Sequence, residues 1–159
     1  RLLELLDFSK DYTAQEIQKE MTCFAEQGLM EEAMLECINV NDILTFLKSS
    51  AGKRIHEASL RKQFYTEQPF VLGLDAMEVY GGDSREVILI QGIIDVYFEE
   101  DGALVVLDYK TDKVTKAEEL VERYRAQLDY YGQALERLTG KRVKEKIIYS
   151  FTLQKEIEV

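Results

Sequence analysis

Proline and cysteine are both scarce in this 159-residue chain, with one and two residues respectively. A single proline beside 46% apolar and 31% charged residues excludes low-complexity and disordered classes and leaves an ordinary soluble globular protein. Two cysteines, Cys23 and Cys37, can build neither a disulfide framework nor a four-thiolate metal site. They are expected as reduced thiols packed in the core of a cytosolic protein. No apolar run approaches the roughly 20 residues of a membrane span, and no signal-peptide pattern opens the chain. No membrane partner is therefore expected. Also lacking is a basic excess: the net charge is −10, against the usual footprint of a free-standing nucleic-acid binder. The deficit is uneven. Residues 1–50 hold 4 basic and 10 acidic side chains, whereas residues 101–159 hold 11 of each.

What is present is concentrated between Gln91 and Lys110, in QGIIDVYFEEDGALVVLDYK. Two hydrophobic segments flank Asp101-Gly102, the dipeptide of a two-residue hairpin turn. With Glu100 opposite Ala103, Asp95 falls across from Asp108, their β-carbons roughly 4.5–5.5 Å apart. Bare carboxylates so placed repel, and an apolar sheet worsens the repulsion, unless a divalent cation lies between them. Alternation puts Lys110 on the face of Asp108 and turns Tyr109 the other way. An Asp-x-Lys alone is read as a solvated strand end, its ion pair worth under about 1 kcal/mol, rather than as a catalytic motif. The opposed Asp95 is what favours a site.

In chain order, Arg1 already stands inside an amphipathic pattern, so the sequence reads as a piece of a longer polypeptide, with residues 1–6 the tail of a helix. Thr13 to Glu16 forms a capping box, and Ile17, Met21, Phe24 and Ala25 follow at helical spacing until Gly28. Residues 30–38, 41–49 (capped by Asn41) and 52–62 read as three more short helices. This acidic first third, 1–62, carries no evident chemistry; a covering or docking role suits it. Residues 63–74 have strand composition, with Pro69 confining them to an edge or a bulge. Gly81-Gly82-Asp83 is a turn. Gly92 inside the first hairpin strand implies a bulge or another backbone close by. Thr115 to Glu118 caps a strong helix whose stripe runs Ala117, Leu120, Val121, Tyr124, Leu128, Tyr131, Leu135 and Leu138, and Gly140 ends it. Val143 to Leu153 alternates as one strand. Strand, helix, strand implies a crossover onto the same sheet, hence an α/β core with a mixed sheet over 63–159.

An Asp ending one strand, then Asp-x-Lys on its hairpin partner, resembles the pattern of the PD-(D/E)xK nucleases. It stands here as Gly92-Ile-Ile-Asp95 and Asp108-Tyr-Lys110, with Ile94 at the position of the family's proline. GIIDVYFEEDGALVVLDYKTDKV followed by YRAQLDYYGQAL resembles more narrowly the RecB-like nuclease domains of bacterial AddAB-type helicase–nucleases. The likeness covers about residues 60–153. It implies a restriction-endonuclease-like mixed sheet flanked by helices, with an N-terminal helical segment. It implies Asp95 and Asp108 as metal-binding carboxylates, the Tyr109 carbonyl as a further ligand, and Lys110 as the catalytic lysine. Gln127 and Tyr131 match a Q-x-x-x-Y helix motif that positions the lysine, the metal water or the DNA backbone. Mg²⁺ or Mn²⁺ suits such oxygen ligands; ATP belongs to a helicase part outside this sequence. The expected partners are DNA and a second, AddB-type subunit, in bacterial cytoplasm. The family's early metal-binding histidine lacks a clear match: His56, the sole histidine, imitates its spacing from a glycine without the accompanying hydroxyl residue, and the opening of the chain resembles the segment that follows that histidine. His56 is therefore read as an ordinary surface or helix-packing histidine, with the ligand expected just before Arg1; the alternative is His56 itself as the ligand. Glu67 is either a second acid near the metal or a solvated strand end. The function implied is metal-dependent DNA cleavage, exonucleolytic, in double-strand break processing; the alternative is an inactive nuclease-like docking module.

Overall fold

The computed structural model describes residues 1–159. Twelve elements follow one another: α1 (Leu2–Leu5), α2 (Ala14–Glu26), α3 (Glu32–Cys37), α4 (Val40–Lys48), α5 (Ser50–Leu60), β1 (Phe64–Asp75), α6 (Ala76–Tyr80), β2 (Val87–Glu100), β3 (Ala103–Lys110), α7 (Ala117–Thr139), β4 (Val143–Ser150) and β5 (Lys155–Glu158). The five strands form one sheet in sequence order. β3 and β4 are parallel and all other pairs antiparallel, so the sheet is mixed.

The β2–β3 hairpin turns where the sequence says it should. Glu100 pairs with Ala103, and Asp101 and Gly102 take φ of 53° and 77°. Two positive φ values in a two-residue loop are the turn whose twist matches the flanking strands. β3 is the centre of the molecule: Ala103 through Asp108 are all buried, because both faces of the sheet are covered. On one face Leu104, Val106 and Ile148 pack with Leu120, Leu128 and Leu135 of α7. On the other, Val105, Leu107, Ile147 and Tyr149 pack with Ile17, Phe46 and Ile55 of the N-terminal helices. Each of these aliphatic side chains contributes about 1.5–3 kcal/mol through burial. Residues 1–62 therefore share a core with the sheet. Phe46 is the hub, with ring centroids of Tyr149, Tyr109 and Phe151 at 4.7, 5.4 and 5.9 Å. Arg54 of α5 adds a polar tie. It pairs with Glu100 at 2.9 Å and Glu145 at 2.8 Å, while Lys144 reaches Glu100 at 2.8 Å. These cations hold the Glu100 carboxyl down to about 2.

Several expectations need correction. α4 is capped by Asn39, whose side chain accepts from the backbone N–H of Asn41. At the start of α7 the reaching acid is Glu119, bonded to the backbone N–H groups of Thr115 and Lys116, one residue later than the pattern places it. The final strand is two strands. β4 stops at Ser150, and a turn with Gln154 at φ 50° returns the chain as β5. A register shift between Leu104 and Val105 also breaks the alternation, so Val143 faces α7 while Ile147 and Tyr149 face the helical layer. Gly92 marks a close side chain rather than a backbone: a β-carbon there would lie 3.0 Å from the Phe70 ring. Neither thiol is in the core; Cys37 is exposed and Cys23 half-buried. Leu138, on the expected stripe, is 60% exposed.

Candidate active site

The site forms where the hairpin opens. The β2–β3 ladder runs from Glu100↔Ala103 to Val96↔Leu107 and ends there. Ile94 and Tyr97, three residues apart, both face α7, so strict alternation fails between them, at Asp95. The neighbouring strand is irregular at the same level. Thr66↔Val96 and Gln68↔Ile94 are paired, but Glu67, opposite Asp95, is not, and takes φ 48°. A left-handed glutamate costs about 1–2 kcal/mol of steric strain. The result re-aims Asp95. Its Oδ2 accepts the backbone N–H of Tyr109 at 3.2 Å, so a carboxylate takes the place of a ladder carbonyl just as the strands part.

Asp108 follows on β3 and is 2% exposed. The Asp95 carboxylate is near enough to act on its ionisation. Lys110 Nζ sits 2.7 Å from Asp108 Oδ2, yet that oxygen has no well-angled hydrogen bond. The contact is an ion pair with poor directionality. Burial, and then the Asp95 carboxylate, push the Asp108 carboxyl group well above the ordinary range, and Lys110 only partly offsets them. Buried Asp108 thus has one ammonium as its partner, stands beside the half-buried Asp95, and keeps one oxygen without a proper donor.

α7 supplies the roof. Gln127 Oε1 accepts from Lys110 Nζ at 3.2 Å. Tyr131 is buried against Phe70, ring centroids 5.4 Å apart, and its phenol is pushed up to about 12 by burial and by the charges of Asp108 and Asp95. Asp95, Asp108, Lys110, Gln127 and Tyr131 are therefore gathered at one place. The Tyr109 backbone is pinned there too, while its ring points into the helical layer toward Phe46 and Phe151. Burial raises the Tyr109 hydroxyl, which has no hydrogen-bond partner. Glu67 lines a small cavity of about 210 Å³ together with Asp95, Tyr109 and Glu4. His56 lies elsewhere. Its Nδ1 donates to the Phe8 carbonyl at 2.8 Å, and it lines a separate cavity with Phe8 and Tyr12.

Sequence reasoning misses Tyr124 and Asp112. The Lys110 ammonium lies 3.9 Å from the centroid of the Tyr124 ring, and the Tyr124 hydroxyl donates to Asp112 Oδ2 at 2.8 Å. The available signal is spacing: Tyr124, Gln127 and Tyr131 fall at i, i+3 and i+7 on α7. By periodicity alone Tyr124 belongs to the apolar stripe, and Asp112 to the turn that leads to the helix.

The donor set suits a hard cation. Two carboxylates, with no third His, Cys, Asp or Glu joining them, match Mg²⁺ or Mn²⁺, which retain waters and need only one or two acids. The poorly bonded Asp108 oxygen is the position such an ion would satisfy.

The family model described as the PD-(D/E)XK nuclease superfamily matches residues 8–158. Curated relatives carry the name of a subunit of an ATP-dependent helicase/nuclease. The one from Lachnoclostridium phytofermentans is 36% identical, over 100% of this chain and 14% of its own length. That from Clostridium beijerinckii is 37% identical, over 99% of this chain and 13% of its own. That from a Thermoanaerobacter species is 38% identical, over 94% and 12%. The chain thus spans roughly an eighth of the length of the relatives it matches.

Proposed function

Since the chain belongs to the PD-(D/E)XK nuclease superfamily, whose members generally use divalent metal ions, we propose that it is the DNA-cleaving domain of a helicase–nuclease. The carrying observation is the convergence of Asp95, Asp108 and Lys110, with one acid buried and short of hydrogen bonds. Asp95, Asp108 and the Tyr109 carbonyl would hold Mg²⁺ or Mn²⁺. When bound, the ion supplies Lewis acidity to the scissile phosphodiester and lowers the pKa of an attacking water. Lys110 orients that water and steadies the negative charge that develops on the phosphoryl oxygens. Gln127 fixes the lysine, and Tyr131 closes the site against bulk water beside the two acids.

The relatives' name supports an ATP-dependent motor and a further subunit; the AddB type of that subunit and the role in break repair follow from the resemblance of the hairpin and α7 to AddAB-type nucleases. An ATP-dependent motor elsewhere in the protein would feed a DNA end to this domain. A second subunit of the AddB type would complete the assembly. Exonucleolytic resection of double-strand breaks in the bacterial cytoplasm is the corresponding role. The structure has no helix long and apolar enough to cross a membrane.

The test is cleavage of end-labelled linear DNA in Mg²⁺ or Mn²⁺ by the protein at its full natural length, wild type against Asp108→Ala. Loss of degradation in the variant, with retained DNA binding, supports the reading. Equal digestion by both proteins removes it and leaves a docking module.

A further inference from the structure

Lys110 must hold an ammonium group still at the end of four flexible methylenes, and fixing such a chain is entropically costly. Three groups surround it. Asp108 is 2.7 Å away, Gln127 Oε1 is 3.2 Å away, and the Tyr124 ring centroid is 3.9 Å away. The lysine side chain is only 16% exposed. An ammonium over an aromatic face within about 6 Å is attracted by the ring's quadrupole, and more strongly where water is excluded. The ring is itself held. Its hydroxyl donates to Asp112 Oδ2 at 2.8 Å, and the neighbouring Arg123 pairs with the same carboxylate. Asp112 lies two residues after Lys110, so the turn that leaves β3 folds back to hold the ring on which its own lysine rests.

We infer that Tyr124, fixed through Asp112 and Arg123, is a positioning residue for Lys110, keeping the ammonium aimed at the reacting phosphate by a cation–π contact. This rests on the nuclease reading of the site but assigns a residue outside the Q-x-x-x-Y pair. Asp108 pulls the ammonium toward the carboxylates, and Gln127 offers one acceptor. The ring adds a broad, neutral seat that does not compete with a metal for the acids. Tyr124, Gln127 and Tyr131 then divide one face of α7 between them: ring under the lysine, amide on the lysine, and phenol beside the acids.

The test has two readouts. In the isolated chain, NMR of the Lys110 ε-methylene group, assigned with Lys110→Arg, reports ring stacking as an upfield shift. The shift is expected in wild type and Tyr124→Phe and lost in Tyr124→Leu. In the full-length protein, Tyr124→Leu is expected to lower kcat for DNA cleavage about tenfold, with KM and Mn²⁺ affinity unchanged. Tyr124→Phe retains most of the rate, and Tyr124→Leu adds no further loss on a Lys110→Ala background. The proposal is overturned if wild type lacks the upfield resonance. It is also overturned if Tyr124→Leu cleaves at the wild-type rate, or if Leu and Phe variants lose rate and thermal stability alike. A wild-type protein that cuts no DNA with any metal refutes the nuclease reading instead. The resonance then decides alone whether the ring holds the lysine.

Discussion

Replacing Asp108 by asparagine is expected to stabilise the metal-free protein at alkaline pH. The carboxyl group is 2% exposed, faces the Asp95 carboxylate, and is pushed up to about 7 from 3.8. A raised carboxyl means that the native state binds this proton more tightly than the unfolded chain does. The stability it contributes is fully present below the unfolded value and is lost as pH rises through the folded one. Three units correspond to about 4 kcal/mol at most, at 1.36 kcal/mol per unit. Relaxation of the pair and loss of the Lys110 contact in the variant reduce this to about 1–3 kcal/mol. The amide is isosteric and does not titrate. Urea unfolding in EDTA should therefore give the Asn variant an advantage of about 1–3 kcal/mol at pH 8.5, shrinking as the pH falls through about 7 and vanishing only below the unfolded value of 3.8. An Asn variant less stable than wild type at pH 8.5 would refute the reasoning, because it would mean that the Lys110 pair outweighs the burial and repulsion assigned to Asp108.

Glu100 should behave in the opposite sense. Its carboxyl is held down to about 2 by Arg54 and Lys144, so its contribution is present above 4.5 and lost as pH falls through about 2. Glu100→Gln should cost about 1–3 kcal/mol at pH 7 by urea unfolding, and a neutral variant would show that the network contributes nothing. Phe46→Ala should cost about 3–5 kcal/mol, since the ring is fully buried among four other aromatic rings. It should also loosen the strand ends that carry Tyr109 and Tyr149, read as faster amide exchange there. Glu67→Gly should leave the melting temperature unchanged or raise it, because glycine removes the strain at φ 48°. The same change at Thr66, its neighbour with ordinary strand geometry, should lower it.

The parts of the fold legible in the sequence are those decided by neighbours along the chain. Asp101-Gly102 names its own turn, since few other pairs tolerate two positive φ values. Once the turn is fixed, counting outward carries the register to Val96↔Leu107. The ladder ends there, one pair short of the expected Asp95–Asp108 pair, and Asp95 instead accepts the Tyr109 N–H. Thr13 with Glu16, and Gly140 in the left-handed cap, mark helix ends by local hydrogen bonding and sterics. What is illegible is settled by tertiary contact. Whether Asn39 or Asn41 caps α4 is a one-residue choice between equal candidates. β5 exists because the turn at Phe151–Gln154 brings Lys155–Glu158 back beside β4, which alternation alone does not foretell. The irregularity at Asp95 and Glu67 belongs to two strands at once. Tyr124 looks like one more member of an apolar stripe, because periodicity shows which face a residue occupies and not which charge rests on it.

The seat that Asp95 and Asp108 together offer one hard cation is tested most directly by a crystal of this chain soaked in Mn²⁺ and measured at the manganese absorption edge. A single anomalous peak should appear between the two carboxylates, each oxygen within about 2.0–2.3 Å, and vanish in Asp108→Asn. Manganese bound elsewhere with that position empty, or an undiminished peak in the variant, would contradict it.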